Sequence, residues 1–241
     1  MNFNQKLNIK IFADGADINF IEKYSKKDFI NGFTTNPTLM KKAGVLDYKE
    51  FCMNSIKIVG AKEISFEVFA DEIAEMEIQA REISKWGRNC VVKIPITNTK
   101  KESTSELVGR LAKSGVKCNI TAVFTIDQLQ DIKKYIDYNS DLIISIFAGR
   151  IADTGIDPTI LIREAINIFK DYNLVKILWA SPRELLNLFQ AENCGCHIIT
   201  LADDLLSKFE LIGKNLEVFS LETVKMFYND ALKSDFKINI K

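Results

Sequence analysis

The chain has 241 residues, of which 47% are hydrophobic and 27% are charged, and its 32 basic side chains balance 32 acidic ones. This ordinary globular composition leaves no net charge to attract nucleic acid or an anionic membrane, so neither partner is expected. No segment has the roughly 18 consecutive apolar residues of a membrane-spanning helix, and no secretory signal precedes the first apolar segment, so we expect a cytoplasmic protein.

Short β-rich segments alternate with amphipathic helical patterns along the chain. Eight strands are predicted, at residues 8–13, 30–34, 63–69, 90–94, 117–123, 142–147, 175–180 and 196–201. After the third of them, Ile73, Met76, Ala80 and Ile83 share one helical face, and similar stripes follow the later strands. Such repetition predicts an α/β fold, a single (β/α)8 TIM barrel over residues 1–241. A doubly wound open sheet is the alternative, but no G-x-G-x-x-G motif follows the first strand.

Residues 216–241 are predicted to form a C-terminal helical extension beyond the barrel. Ser220 is the expected N-cap of this helix. Its apolar side contains Leu221, Val224, Phe227, Tyr228 and Ala231. The stripe could cover the barrel's own end or dock on another subunit, and both options stay open.

The cysteines and the histidine predict no metal site. Five cysteines are an odd number in apolar surroundings, which is typical of reduced, packed thiols. Cys194 and Cys196 lack a second ligand pair, and His197, the only histidine, lies in an apolar strand. His197 is therefore expected to be a core or strand residue rather than a catalytic one.

Lys93 lies in V-V-K-I-P-I-T, a segment otherwise typical of a buried strand. Charged side chains are rarely buried without a partner or a use. A buried lysine amine can attack a carbonyl and form a Schiff base. The alternative is that Lys93 lies at a strand end and extends into solvent.

Functional side chains of a (β/α)8 barrel lie where strands end and βα loops begin. Seven predicted strands carry polar residues at that end: Asp14, Thr34, Thr35, Asn36, Glu67, Lys93, Asn119, Thr121, Ser145, Arg150, Ser181 and Arg183. Each alone is explained as well by a helix cap, a loop or a surface ion pair, but together they predict an active site. Carboxylates and a hydroxyl can relay protons to an imine, and two arginines can hold a phosphate.

Seven motifs, in this order, resemble the transaldolase family. They are D-G-A-D (14–17), G-F-T-T-N-P-T (32–38), S-F-E-V (65–68), V-V-K-I-P-I-T (91–97), N-I-T-A-V-F-T (119–125), I-F-A-G-R (146–150) and A-S-P-R (180–183). T-T-N-P followed by the K-I-P strand is specific to that family.

The resemblance implies a Schiff-base enzyme of sugar-phosphate metabolism that needs no metal or cofactor. Lys93 would attack the C2 carbonyl of a ketose phosphate, and Asp14 would drive cleavage between C3 and C4. Glu67 and Thr121 would hold a catalytic water. The implied substrate-binding residues are Thr34, Asn36, Asn119 and Ser145 for the dihydroxyacetone part, Phe147 beside them, and Arg150, Ser181 and Arg183 for the phosphate.

Several alternatives stay open within this resemblance. Fructose 6-phosphate aldolases usually have a glutamine at Glu67 and a tyrosine at Phe147, so both positions here resemble transaldolases. The short chain is similar to compact members, which include the aldolases and assemble into pentamers or decamers, so a homo-oligomer is expected. Gly15 and Pro182 depart from the family pattern, which leaves an unusual sugar phosphate possible. A non-catalytic barrel is disfavoured because Lys93, Asp14 and Glu67 are present together. A class I aldolase of another barrel family is disfavoured because most of those enzymes have their lysine on the sixth strand, whereas Lys93 belongs to the fourth.

Overall fold

The computed structural model describes residues 7–234 and 236–238. The strands are β1 (Lys10–Asp14), β2 (Ile30–Thr34), β3 (Glu63–Glu67), β4 (Cys90–Pro95), β5 (Cys118–Val123), β6 (Leu142–Ile146), β7 (Val175–Trp179) and β8 (Ile198–Leu201). Each pairs in parallel with the next, and β8 pairs with β1, so the sheet closes into a barrel. The predicted (β/α)8 TIM barrel is confirmed, and every strand boundary lies within two residues of its prediction.

Helices cover the outside of the barrel. They are α1 (Ile18–Ser25), α2 (Pro37–Lys42), α3 (Tyr48–Val59), α4 (Ile73–Ile83), α5 (Ser105–Lys113), α6 (Ile126–Tyr135), α7 (Ala148–Ala152), α8 (Pro158–Ile168), α9 (Leu186–Asn193) and α10 (Asp203–Leu206), followed by a 3₁₀ helix (Ser207–Leu211) and α11 (Leu216–Lys233). The predicted face of α4 packs on the barrel, with Met76, Ala80 and Ile83 buried and Ile73 partly buried. Among the described residues, no helix is long and apolar enough to cross a bilayer.

The barrel has two cores because successive strand side chains point to opposite faces of the sheet. The inner core contains Phe12, Val91, Ile143, Leu178, Ala180 and Ile198. The outer core lies between strands and helices and takes the alternate residues, such as Val92 and Ile94. A Cβ at Gly32 would lie 2.6 Å from the Phe12 ring, so the glycine leaves this ring room to fill the barrel floor.

The cysteines and the histidine lie away from the polar strand ends. All five cysteines are free and buried. His197 immediately precedes β8, at the opposite end of the barrel, and its Nδ1 accepts the N–H of Ile177 at 3.0 Å. Within residues 7–234 and 236–238, no three His, Cys, Asp or Glu side chains converge to hold a metal ion.

The last helix begins earlier than predicted. Ser220 lies inside α11, and the N-cap is Asn215, whose side-chain oxygen accepts the N–H groups of Glu217 and Val218. Asparagine caps as well as serine does, and residues 216–219 are compatible with a helix, so the earlier cap prevails. The helix ends at Lys233, so the predicted helical extension to residue 241 is wrong for residues 236–238, which have no regular structure. Residues 1–6, 235 and 239–241 of the predicted domain lie outside the described residues.

Candidate active site

Lys93 points into the barrel from β4. It lies two residues after Val91, a member of the inner core, and residues two apart on a strand share a face. Its Nζ lies 2.9 Å from Glu67 Oε2 and donates to the carbonyl oxygen of Thr35 at 3.1 Å. Only 6% of the residue is exposed, so the alternative that it extends into solvent is wrong.

Glu67 is the neighbour of Lys93 because of strand register. It is the last residue of β3 and is paired directly with Lys93 across the parallel ladder. The Tyr48 hydroxyl donates to the Glu67 carbonyl at 2.6 Å and anchors this strand end. Buried ion pairs add little net stability, because desolvation offsets the attraction. A buried lysine–glutamate pair facing a cavity is therefore better explained by chemistry than by stability.

Asp14 is the second candidate acid or base. It ends β1, and Thr34, its partner in register on β2, donates a 2.6 Å hydrogen bond to Asp14 Oδ1. Burial raises the pKa of Asp14 and the Glu67 carboxylate raises it further, against the lowering effects of Lys93 and the Thr34 hydrogen bond. A carboxyl with a raised pKa is suited to both taking and returning a proton.

One inward-facing residue at or near the C-terminal end of each of the eight strands belongs to a single ring. The eight residues are Asp14, Thr34, Glu67, Lys93, Thr121, Ser145, Ala180 and Thr200, and all line one cavity of about 560 Å³. Seven of the eight are polar, whereas Ala180 and the inner-core residues below the ring, such as Val91 and Ile143, are apolar. Polar groups so concentrated at the C-terminal end of a barrel mark a binding site.

A bulge at the end of β5 accompanies the placement of Thr121 in the cavity. The register between β5 and β6 shifts between Ile120 and Val123, and Ala122 has a φ of 58°. This left-handed conformation is uncommon for alanine. Thr121 Oγ1 is buried and has no hydrogen-bond partner among the described residues. Such a hydroxyl can bind a substrate group or a water molecule.

Asn119 and Asn36 have structural hydrogen bonds of their own. Asn119 does not line the cavity; it is fully buried, its Nδ2 donates to Ser65 Oγ at 3.1 Å, and its Oδ1 accepts from Ser145 Oγ at 2.6 Å. Asn119 therefore orients Ser145, which does line the cavity. Asn36 caps α2 through Oδ1, which accepts the N–H of Leu39 at 2.9 Å, and it also lines the cavity.

The two arginines lie at the rim of the cavity. The Arg150 guanidinium carbon lies 5.7 Å from the centre of the Phe147 ring. Arg183 is in an ion pair with Asp153, to which it donates through both Nε and Nη2. The hydrogen bonds of Arg183 lower the pKa of Asp153. Each arginine lines the cavity, and Arg183 has a protein partner as well. Phosphate binding by the two arginines stays a prediction.

Gly149 allows α7, which carries Arg150, to meet the loop after β7, which carries Arg183. A Cβ at position 149 would lie 1.5 Å from the backbone oxygen of Ser181. Ser181 itself has a φ of 60° and lines the cavity. Arg150, Ser181 and Arg183 are thus brought to one side of the rim by close backbone packing, a relation that strand periodicity does not predict.

Nine residues of the cavity wall were missed by the sequence analysis: Pro37, Thr38, Leu39, Lys42, Pro95, Ala122, Leu178, Ala180 and Thr200. Thr200 could have been found, because it lies two residues after Ile198, as Lys93 does after Val91. Residues from α2 could not, because their approach to the cavity depends on how that helix packs.

Comparison with known proteins agrees with this geometry. The family model described as Transaldolase/Fructose-6-phosphate aldolase matches residues 11–241. The chain belongs to this family. Among its relatives, a probable transaldolase of Dehalococcoides mccartyi is 36% identical over 196 residues, covering 80% of this chain and 86% of that protein. A probable transaldolase of Streptococcus agalactiae is 36% identical over 216 residues, covering 88% and 95%.

Solved structures of other enzymes share the fold of this transaldolase/aldolase family member. The orotidine 5'-monophosphate decarboxylase of Metallosphaera sedula superposes with a TM-score of 0.52 at 10% identity, covering 80% of this chain and 88% of that one. A likeness at this identity concerns the barrel alone. Membership of the family identifies the protein as an enzyme, and the predicted family resemblance is confirmed.

Proposed function

We propose that the protein is a transaldolase that carries a dihydroxyacetone unit on Lys93. The donor is a ketose phosphate such as sedoheptulose 7-phosphate or fructose 6-phosphate, and the acceptor is an aldose phosphate. The observation that carries the proposal is the buried Lys93–Glu67 pair, in a cavity that also contains Asp14. No cofactor is needed for this chemistry, because lysine supplies the nucleophile and the carboxylates move the protons.

The reaction begins at Lys93 Nζ. Glu67, whose Oε2 lies 2.9 Å from the amine in an ion pair, takes its proton, and the nitrogen attacks C2 of the ketose. The carbinolamine then loses water to give the imine. A water molecule held between Glu67 and the unpaired Thr121 hydroxyl relays the protons of this step.

Asp14 drives the carbon–carbon cleavage. It removes the proton of the C4 hydroxyl, the C3–C4 bond breaks, and its electron pair is delocalised into an enamine on Lys93 while the first aldose phosphate leaves. The enamine attacks the aldehyde carbon of the acceptor, and Asp14 returns its proton to the new hydroxyl. Hydrolysis of the imine releases the new ketose phosphate and restores the lysine.

The other cavity residues bind the substrate in this proposal. Thr34, Asn36 and Ser145 orient the dihydroxyacetone part, and Asn119 acts through Ser145. Phe147 closes the wall beneath Arg150. Ser181 and the two arginines bind the phosphate, through the N–H groups of Arg183 that do not donate to Asp153.

Borohydride trapping tests the imine. Incubation with fructose 6-phosphate and borohydride should leave a reduced adduct on Lys93, detected by intact mass and peptide mapping. The matched control is Lys117→Ala, because Lys117 is also paired with a glutamate, Glu63, but does not line the cavity. That variant should still be trapped. An unmodified wild-type mass, or an adduct that persists in Lys93→Ala, contradicts the mechanism.

Aldolase activity is the second candidate, and the family model's description includes it. Glu67 and Phe147 favour transfer, since the aldolases usually have glutamine and tyrosine there. With fructose 6-phosphate as donor, turnover should rise sharply when erythrose 4-phosphate is added. Equally fast release of free dihydroxyacetone without an acceptor would assign the protein to the aldolase branch. Preference for a donor other than sedoheptulose 7-phosphate or fructose 6-phosphate would indicate that the enzyme acts on an unusual sugar phosphate.

We also propose that α11 packs on another copy of the chain. None of its side chains is buried, although Leu221, Val224, Phe227 and Tyr228 are apolar and each is more than half exposed. A stripe of this kind is unfavourable in water, and α11 does not bury it on its own barrel. Light scattering should show an oligomer, with Phe227→Glu shifting it toward the monomer. A monomeric wild type contradicts the proposal.

A further inference from the structure

A chain of two hydroxyl groups ends on Asp14. Thr34 Oγ1 lies 2.6 Å from Asp14 Oδ1, and it also lies 2.6 Å from Thr200 Oγ1. The three residues come from β2, β1 and β8, which are neighbours in the barrel. Thr34 is 3% exposed and Thr200 is 4% exposed, so bulk water does not compete for either bond.

We infer that Thr200 is a positioning residue, which holds Asp14 in its working orientation and charge state through Thr34. The inference rests on the proposed function, in which Asp14 is the acid/base. Thr200 does not touch the reacting carbon atoms in this role. It acts on Asp14 through two successive hydrogen bonds, by way of Thr34.

When Asp14 is ionised, the number of hydroxyl hydrogens determines which group donates in each of the two hydrogen bonds. A carboxylate only accepts hydrogen bonds, so the single hydroxyl hydrogen of Thr34 points to Asp14. Thr34 has then no hydrogen left for Thr200, and Thr200 must be the donor in their contact. Two hydroxyl dipoles are thereby aligned toward the negative charge.

The same atoms also serve Asp14 once it has taken a proton on Oδ1. Asp14 then donates to Thr34, and Thr34 turns its hydrogen toward Thr200. Thr200 lines the cavity, so its own hydrogen can point to a water molecule or a substrate hydroxyl there. The carboxyl group therefore keeps its position through both halves of the reaction.

The two hydrogen bonds from Thr200 and Thr34 favour the ionised state of Asp14 over its neutral state. Hydrogen bonds to a charged acceptor are stronger than neutral ones, and aligned donors strengthen one another. Thr200 thus opposes the effect of burial on Asp14. The other charged groups that share the cavity are Lys93 and Glu67, with Lys42, Arg150 and Arg183 farther out. Replacing Thr200 leaves all of them in place.

The test replaces Thr200 by valine, which keeps the shape of the side chain and removes the hydroxyl, and by serine, which restores it. Loss of one aligned donor to a charged bond should move the acid limb of the kcat/KM pH profile upward by about half a pH unit. Thr200→Ser should return the limb to the wild-type pH. Ser55→Ala is the control for a buried hydroxyl, because Ser55 bonds only to the Phe51 carbonyl within α3. It should lower stability without moving the limb.

A readout independent of turnover is the carboxyl ¹³C titration of Asp14, assigned with Asp14→Asn. Its midpoint should rise in Thr200→Val by the same amount, and Thr200→Ala serves if the valine variant does not fold. A wild-type midpoint in the valine variant overturns the inference. So does an equal rise in a Thr34→Val background, because Thr200 is argued to act through Thr34. A shifted midpoint in an enzyme that forms no adduct with ketose phosphates would instead overturn the proposed function alone.

Discussion

The cavity has two regions built in different ways. The proton-transfer region lies on strands, where Lys93, Glu67, Asp14 and Thr34 are held by hydrogen bonds and ion pairs of 2.6–3.1 Å. The phosphate region lies on the loops and short helices that follow β6 and β7, and the Arg183–Asp153 pair there is about half exposed. Strand register fixes the first region before a substrate arrives, whereas the second depends on one close backbone contact, at Gly149, and on an exposed ion pair. Changes in the first should therefore lower kcat, and changes in the second should mainly raise KM.

The largest effect is expected for Lys93→Arg. Arginine keeps a cation for Glu67 but is not a nucleophile, because its guanidinium stays protonated. We expect kcat to fall by roughly 10³-fold or more, as for loss of other covalent nucleophiles, with KM little changed. Steady-state rates with fructose 6-phosphate and erythrose 4-phosphate measure this. Retention of more than a small fraction of activity would remove Lys93 from the chemistry.

Asp14→Asn should lower kcat by about 10²–10⁴-fold, the usual contribution of an acid/base. It should also raise the melting temperature at pH 8. Burial raises the pKa of Asp14 in the folded state, so its contribution to stability is present at low pH and is lost as the pH rises through the folded pKa. Asparagine avoids the buried charge. The gain should shrink as the pH approaches 3.8, the ordinary value, and equal melting curves at pH 8 would contradict the argument.

Gly149→Ala should damage the phosphate region while leaving the proton-transfer region intact. The new Cβ would meet the Ser181 backbone at 1.5 Å, so α7 and the loop after β7 must separate. Overpacking of this kind costs about 1–3 kcal/mol, and we expect KM for phosphorylated donors to rise about tenfold or more. Gly155→Ala is the control: its φ of 82° disfavours alanine and should lower stability, but a Cβ there meets nothing within 4 Å, so KM should not change. Unchanged KM in Gly149→Ala would show that the close approach is not needed.

The smallest effect is expected for Asp153→Ala. Arg183 would lose the partner that orients its guanidinium, but the pair is exposed and such pairs contribute little. A rise in KM of about fivefold or less is expected for phosphorylated donors. Fructose as donor supplies the control, because it lacks the phosphate and its KM should show no change. An effect of equal size on both donors would place Asp153 outside the phosphate region.

The residues of the proton-transfer region could be predicted from the sequence, whereas the contacts of the phosphate region could not. Lys93, Glu67 and Asp14 could be found because each interrupts an apolar strand at its C-terminal end, where functional residues of barrels collect. Thr200 carries a similar local signal, because it is a polar residue one position before the end of the apolar eighth strand. The Arg183–Asp153 pair could not be found, since the two residues lie 30 positions apart on separate loops.

The sequence by itself determined the barrel, its eight strands to within two residues, and most of the polar ring. These features depend on local rules, namely side-chain alternation, helix periodicity and the placement of polar groups at strand ends. Only the tertiary structure decided that Glu67 meets Lys93, that Thr200 reaches Asp14 through Thr34, and that Asn119 lies below the cavity. It also placed the N-cap of α11 at Asn215 and left that helix unburied on its own barrel. Register and close backbone approach join residues that are distant in the chain, and no local pattern encodes their separation.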